Sequence, residues 1–516
     1  MKTDAVYKIS NTLYVSGTYV RLFAIIFAAD LIAKAGVLAG GFAVDDYGFS
    51  LGFFPEYIKL FISQGRFLAA GINYAADSLG VNMTDIYVVF GLLAIVLHSA
   101  FVLSILRFVG ADRVPGAGLI GALIAVHPYG AEIFTFKVAL PYYCVALLFS
   151  ILALELIKAD PTRLRNRLYA IACAIGVLFT YQVFLNYLAV VMVFTWLFGE
   201  LVGIKREGDR GATLSHTDRV KALVMVTLSA VAVFMSAMLA LKRFEVVAVD
   251  GRSQLIPLRD YAQRADQVVS QLRTVFFESE PIMPEWLKVV ALLMLFLSLS
   301  VLVKFYLFDK KDSPLRSNPL IFVVALLLLI PLSIGIILPF KDWWPVPRVL
   351  SHVSLIIGLM FILSDICLGG NLKNHLQWVN YASRSLLIFG FVLISNQIFA
   401  DQLRINEWDR AMAIRLISRL EMDNNFNEAK YLHVSGGWWG YPAGLKTVQG
   451  DMNTSAFNAP VKTELLIQST GYNFLPATKG EKAARGEAYC SSAPVWPAAE
   501  STKVDGDLAI VCLKRN

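Results

Sequence analysis

About eleven stretches of roughly twenty apolar residues recur along this chain, at 20–39, 85–106, 116–134, 138–157, 168–182, 185–203, 221–241, 287–308, 319–338, 347–368 and 383–400. A hydrocarbon core of about 30 Å is crossed by roughly 20 helical residues. Inside it every backbone N–H and C=O must be bonded within the segment, so runs of this length can cross only as helices. Composition agrees: 57% of the 516 residues are apolar and 16% charged, against about 25% charged in an ordinary soluble domain. So little charge cannot cover a water-facing surface of this size, and disordered, coiled-coil and collagen-like chains are excluded with the soluble ones. The expectation is an all-α polytopic membrane protein of about eleven transmembrane helices. The 168–203 region is too long for one crossing and barely enough for two, with Tyr181 and Gln182 at the break. No small-residue cleavage site follows the first run, so no cleavable signal peptide is expected.

The net charge of +7 is not a nucleic-acid patch, because its bearers alternate with the apolar runs. One set of short loops carries Arg107 and Arg113; Lys158, Arg163, Arg165 and Arg167; Lys205, Arg206, Arg210, Arg219 and Lys221; Lys310, Lys311 and Arg316; and Lys373. The opposite short loops hold little more than Lys59, Arg66, Lys137 and Lys341. Cytoplasmic loops carry the excess of Lys and Arg, so the first set is expected in the cytoplasm. An odd number of crossings then puts the N-terminus in the cytoplasm and the C-terminal tail outside. Residues 1–400 form the membrane domain, with external loops at 40–84 and 242–286.

Beyond Ala400, Trp408, Met412, Leu416 and Leu420 recur at i+4 spacing, the mark of an amphipathic, non-spanning helix. The runs KYLHVS, TELLIQST and LAIVCLK then read as strands between Gly, Asn and Pro. Residues 401–516 are therefore expected as a small exported α/β domain. Its Cys490 and Cys512 would lie where a disulfide can form. Cys144, Cys173 and Cys367 sit in apolar runs as small packing residues.

Chemistry-bearing residues gather in the external loops. Asp45 and Asp46 follow the first apolar run in GGFAVDDYGFS; they are either two solvated acids or a general base or cation ligand. Phe54, Ile58, Phe61, Ile62, Gly65, Leu68 and Ile72 share a helical face broken near Gln64-Gly65, which fits helices lying along the interface. Arg66, within that stretch, is a snorkelling charge or a phosphate ligand, the latter suited by its planar fork. HPYGAEIFTFKVALP carries His127, Glu132 and Lys137, and LPFKDWWPVPRVLSH carries Lys341, Asp342, Trp343, Trp344, Arg348 and His352. Paired Trp usually form an interfacial belt, while an Arg entering an apolar run must meet an anion. Asp30 and Lys34, four residues apart inside the first run, neutralise each other. Trp438, Trp439 and Tyr441 either stack on a sugar or pack the small domain. There is no Walker loop, dinucleotide fingerprint, HExxH or paired CxxC. What remains is an exported face of carboxylates and cations, suited to a reaction whose leaving group is a lipid phosphate.

The acidic pair after the first run, the Gly-Arg of the interfacial segment and the HPYGAEIFTFKVALP stretch resemble the bacteriophage and bacterial O-antigen glucosyltransferases of the GtrII type, most clearly over residues 40–200. The resemblance implies a GT-C-like membrane fold in the bacterial inner membrane, with its C-terminal domain in the periplasm, and transfer there of glucose from undecaprenyl-phosphate-glucose to a lipopolysaccharide O-antigen hydroxyl, hence serotype conversion. It makes Asp45 or Asp46 the general base. Arg66, Lys137 and Arg348, chosen by charge and side, would hold the donor phosphate with His127 as a hydrogen-bond donor. Glu132, Tyr181, Gln182, Asp342, Trp343 and Trp344 are the expected sugar contacts. No cofactor is required, although a divalent Mg or Mn at Asp45/Asp46 is left open. A transporter or flippase of lipid-linked sugars, or a GT-C enzyme with another sugar donor, is the alternative; a transporter would spread its polar groups around a midplane site.

Overall fold

A computed structural model describes residues 2–51, 55–202, 216–246, 251–278, 282–307, 319–368, 374–438 and 440–514. Phe54, Lys205, Arg206, Arg210, Lys310, Lys311, Arg316, Lys373 and Trp439 lie outside the described residues.

The chain enters through α1 (Lys2–Lys34), turns through three short helices, α2 (Val44–Ser50), α3 (Pro55–Ser63) and α4 (Phe67–Ser78), and returns along α5 (Tyr87–Val109). A bent pair, α6 (Ala117–Ala125) and α7 (Pro128–Ala131), leads through 3-10 turns into α8 (Leu140–Ala159). Then come α9 (Leu164–Thr180), α10 (Phe184–Val202), α11 (His216–Arg243), α12 (Tyr261–Phe276), α13 (Glu285–Leu307), α14 (Pro319–Ile334), α15 (Val353–Leu368) and α16 (Asn374–Leu420).

Every one of the eleven apolar runs is helical, yet fewer helices meet the length of a crossing. Among the described residues six do, within α1, α8 with its preceding turn, α5, α11, α13 and α16; the α6–α7 pair, bent by 50°, makes a seventh if counted as one. Irregular backbone interrupts two of the others. Gly335, at φ +72°, turns α14 into a 3-10 segment, and the prolines at 345 and 347 delay α15 to Val353. The break expected at Tyr181-Gln182 is there: Tyr181 is extended and α10 begins at Phe184.

The basic ends of the helices meet. Arg107, closing α5, pairs with Glu155 of α8 at 3.1 Å, and Arg219 at the start of α11 donates to the Phe108 carbonyl at 3.0 Å. Deeper in, Lys34 lies 2.5 Å from Asp30, as the i,i+4 spacing implies. His98 and Ser99 of α5 and the Ala125 carbonyl of α6 complete the cluster at 2.8, 3.0 and 2.7 Å. Unpaired charge in such surroundings is expensive; paired, it ties α1 to α5 and α6.

The C-terminal region contains β1 (Tyr431–Ser435), α17 (Lys462–Thr470), β2 (Leu475–Pro476), α18 (Gly480–Ser492), β3 (Thr502–Asp505) and β4 (Leu508–Cys512). The sheet order is β2-β1-β4-β3, with β1 parallel to both neighbours and β3 antiparallel to β4. KYLHVS and LAIVCLK contain strands, whereas TELLIQST is helical. Its consecutive apolar residues fit either element, and Gly471, at φ +76°, caps it as a helix. The membrane helix and the amphipathic stretch beyond Ala400 are one unbroken helix, α16. Met412, Leu416 and Leu420 pack with Leu432, Leu466 and Val511 in a second core, while Trp408 stays 38% exposed. Cys490 and Cys512 are joined by a disulfide between α18 and β4, Cα–Cα 5.3 Å.

Between α3 and α4 the chain turns at Gly65, φ +74°, where a Cβ would come within 2.6 Å of the Phe234 ring. A left-handed backbone alone costs a non-glycine residue roughly 1–2 kcal/mol. Gly65→Ala is therefore expected to lower the melting midpoint of the detergent-purified protein by several degrees. An unchanged midpoint would show that this turn relaxes freely.

Candidate active site

A helix broken near the bilayer frees backbone donors that need acceptors. Asp46, on α2, supplies them: its carboxylate accepts from Lys137 N at 3.1 Å and Val138 N at 2.9 Å, and from Ala43 N at 2.8 Å. It is fully buried. Burial lifts its carboxyl to about 7, against the pull of those three N–H groups. Asp46 thereby fastens α2 to the turn that enters α8. Its neighbour Asp45 is the accessible member of the pair.

The other walls come from separate breaks in the helices. The turn at Gly65 presents Arg66, whose guanidinium lies 5.4 Å from the Tyr181 ring and reaches the Gln182 side-chain oxygen at 3.4 Å. Gln182 in turn donates to the Gln64 carbonyl at 2.9 Å. Thus the α3–α4 turn and the α9–α10 break hold one another. Two loops distant in sequence pair through a bridge between Leu255 and Phe340 and the bond from Lys341 N to the Gln254 carbonyl at 2.7 Å. Arg264 of α12 clamps that joint, donating to the Ile337 and Lys341 carbonyls and stacking 4.7 Å from Trp343. The joint sets Arg252 5.8 Å from Trp344, with Asp342 beside Gly251.

Together these pieces enclose a recess of about 700 Å³ of empty space, lined by Gln64, Arg66, Tyr181, Gln182, Arg252, Asp342, Trp344 and Arg348. Arg348 is held by two carboxylates. It pairs with Glu132, which also accepts from the Arg348 backbone N–H at 2.6 Å, and with Asp451 at 2.6 Å. Burial works against its charge, but Glu132, Tyr181 and Asp451 prevail and hold the guanidinium well above its ordinary value. Arg66 makes no ion pair with any described carboxylate, and burial lowers its proton affinity.

Asp45 feels all of them. Although its side chain is open to solvent, enough protein surrounds it for burial to push its carboxyl above the usual range. Asp451 adds to that rise, while Arg348, Arg252 and Arg66 pull against it. One accessible carboxylate thus stands among three guanidinium groups. This arrangement can accept a proton on one side and hold an anion on the other.

Asp45, Arg66, Glu132, Tyr181, Gln182, Asp342, Trp344 and Arg348 are brought to or beside the recess. Trp343 lies behind it on Arg264. The Lys137 ammonium points elsewhere, 3.8 Å from the Phe42 ring and 4.2 Å from the Tyr87 ring. His127 caps α7 and lines a different, mostly apolar pocket with Met283, Lys288 and Phe391. Sequence reasoning missed Arg252, Gln64 and Asp451. Arg252 follows a glycine, as Arg66 does, and that repeated Gly-Arg could have marked it; Asp451 had only a neighbouring Gly450 to suggest a turn. A divalent ion bridging Asp45 and Asp46 does not fit the donor set, since both oxygens of Asp46 are taken by backbone N–H groups. Among the described residues no group of three or more His, Cys, Asp or Glu could hold a metal ion.

A polytopic helical protein with a charged recess at the mouth of its helices has the form of a membrane-embedded transferase. The family model for glucosyl transferase GtrII matches residues 35–365, well over half of the chain. The chain belongs to the GtrII glucosyl transferase family and is a membrane glycosyltransferase. The matched span includes Asp45, Asp46, Arg66, Lys137, Arg252 and Arg348 and ends before Asp451. No curated protein matches.

The two aspartates should respond differently to the same change. In Asp46→Asn an amide NH₂ would replace one acceptor facing buried N–H donors, at a cost of about 1–3 kcal/mol, so its melting midpoint in detergent should fall. Asp45→Asn should melt like the wild type. Equal midpoints for both variants would remove the fastening role given to Asp46.

Proposed function

We propose that this protein transfers glucose from undecaprenyl-phosphate-glucose to a hydroxyl of the lipopolysaccharide O-antigen at the periplasmic face of the bacterial inner membrane, with Asp45 as general base. The observation that carries this reading is that Arg66, Arg252 and Arg348 line one recess and all three act on the carboxylate of Asp45.

A sugar hydroxyl is a poor nucleophile at neutral pH. Asp45 takes its proton as the oxygen attacks the anomeric carbon. The bond from that carbon to the phosphate oxygen breaks, its electron pair stays on the phosphate, and undecaprenyl phosphate departs. A single displacement of this kind inverts the anomeric centre. Negative charge grows on the leaving phosphate, and fixed cations lower the cost. Arg66 and Arg252 are the cations assigned to it. Arg348, clasped by Glu132 and Asp451, adds a fixed positive field. Tyr181, Gln182, Asp342 and Trp344 are placed to contact the sugars.

The periplasmic assignment is supported by charge and by redox chemistry. The recess opens at the helix ends opposite Arg107, Lys158, Arg163 and Arg219, where the positive-inside rule expects the exported face. The disulfide between Cys490 and Cys512 fits an oxidising compartment.

Purified protein in nanodiscs, supplied with the glucosyl donor and O-antigen, should form glucosylated product. Asp45→Asn should lower kcat by about 10²- to 10⁴-fold. A base must be unprotonated, so kcat/KM should rise with pH through the raised pKa of Asp45, its acid limb lying above the ordinary carboxylate value of about 4. Wild-type turnover by Asp45→Asn would end the general-base assignment. Arg66→Ala and Arg252→Ala should impair use of the donor about tenfold or more and spare the acceptor; losses shared equally between the two substrates would remove the phosphate role.

A further inference from the structure

We propose that Asp451, which lies outside the family-matched span, is a positioning residue of the transfer reaction: from an anchored C-terminal loop its carboxylate fixes the Arg348 guanidinium in the recess. This inference rests on the general-base reading of Asp45 and extends it into the C-terminal region.

The loop bearing Asp451 is held from three sides. Asp401 of α16 accepts from Lys446 N, Thr447 N and the Thr447 hydroxyl at 2.9, 3.0 and 2.9 Å. Asp409, two turns further along the same helix, accepts from the Ser455 hydroxyl at 2.6 Å and Ala456 N at 2.8 Å. Between them Asn453 adopts φ +55°, a conformation unfavourable for most residues though tolerated by Asn. Its amide donates to the Ile398 carbonyl at 3.0 Å and the Thr447 hydroxyl at 2.8 Å. Gln449 and Met452 close the tip with reciprocal backbone bonds, and Gly450 rests so near Val346 that a Cβ would come within 2.6 Å. Val346 is two residues from Arg348. A loop anchored this firmly presents its carboxylate at a fixed place.

That place matters to the charge around Asp45. Charged and titratable groups face Asp45 from every neighbouring element: Arg66 from the α3–α4 turn, Arg252 from the 251–260 segment, Arg348 from the turn before α15, Tyr142 from α8, Asp451 from the C-terminal loop, and Asp46 beside it on α2. Three guanidinium groups alone would keep Asp45 ionised at low pH and make it a reluctant proton acceptor. Glu132 neutralises part of that field from the far side of Arg348. Asp451 neutralises part of it too and acts directly on Asp45. With Asp451 uncharged, Arg348 keeps a single carboxylate, the field at Asp45 turns more positive, and Asp45 becomes a weaker base.

The experiment is a pH profile of glucosyl transfer by the full-length protein in nanodiscs, for wild type, Asp451→Asn and Asp451→Glu. Asp451→Asn should move the acid limb of kcat/KM to lower pH by on the order of one unit and lower the plateau several-fold; Asp451→Glu, which keeps the charge, should return the limb to its wild-type position. A lowered plateau with the limb unmoved would reduce Asp451 to a strut, and an unchanged profile would remove it from the reaction; either result overturns the proposal. Should Asp451→Asn fail to fold, Asp451→Glu decides alone: its limb must coincide with that of the wild type, and a displaced limb counts against the inference. Asp45→Asn, measured in parallel, separates the two readings. Full turnover there ends the general-base assignment, whereas lost turnover with an unmoved limb in Asp451→Asn ends only the role of Asp451.

Discussion

Backbone donors released where helices break cannot go unbonded at the edge of a bilayer, and one buried carboxylate meets that demand here. Asp46 gathers N–H groups from Ala43, Lys137 and Val138. The turn between α7 and α8 and the short helix α2 are locked to each other as a result. Asp45 is placed by its neighbour's bonds and makes none of those bonds itself. The two like charges at consecutive positions thus have different surroundings: Asp46 is buried and bonded, whereas Asp45 is accessible, as the proposed general base must be.

The recess follows the same economy of pairing. Each of its walls is an interruption: the turn at Gly65, the break at Tyr181, the bridged loops around Arg252 and Asp342, and the proline-rich approach to Arg348. Irregular backbone is tolerated at such depth only where protein or water satisfies it, and here side chains such as Gln182 and Arg264 do so. The ionisable groups within the helices behave otherwise. Asp30, Lys34, His98 and Ser99 satisfy one another in a closed cluster, unlike the dispersed midplane site of a transporter.

Much of this was legible in the sequence because hydrophobic periodicity and breakers act locally. The apolar runs gave the helices, Gly65 gave the α3–α4 turn, and the Tyr181-Gln182 pair gave the α9–α10 break. Arg348 was expected to meet an anion and meets two. Among the described residues fewer helices reach crossing length than there are apolar runs, in part because apolarity alone does not reveal 3-10 turns, as at Gly335. TELLIQST reads as a strand because three adjacent apolar residues carry no period, yet it folds as α17. Asp451 and Arg252 were hidden for a different reason: their proximity to Asp45 depends on loops distant in sequence, and local composition holds no record of such meetings. Lys137 shows the converse, since charge and side placed it at the site while Phe42 and Tyr87 hold its ammonium away.

The continuity of α16 has a mechanical side. Its 47 residues make a rod of about 70 Å at 1.5 Å per residue, with no hinge between the part that sits among the membrane helices and the part that bears Asp401, Asp409 and the second core. The elevation of the outer half above the headgroups is therefore governed by how deeply the inner half settles into lipid. Bilayer thickness becomes a dimension of the enzyme, since a thicker or thinner membrane would raise or lower the loop that Asp401 and Asp409 hold, and with it Asp451 against Arg348.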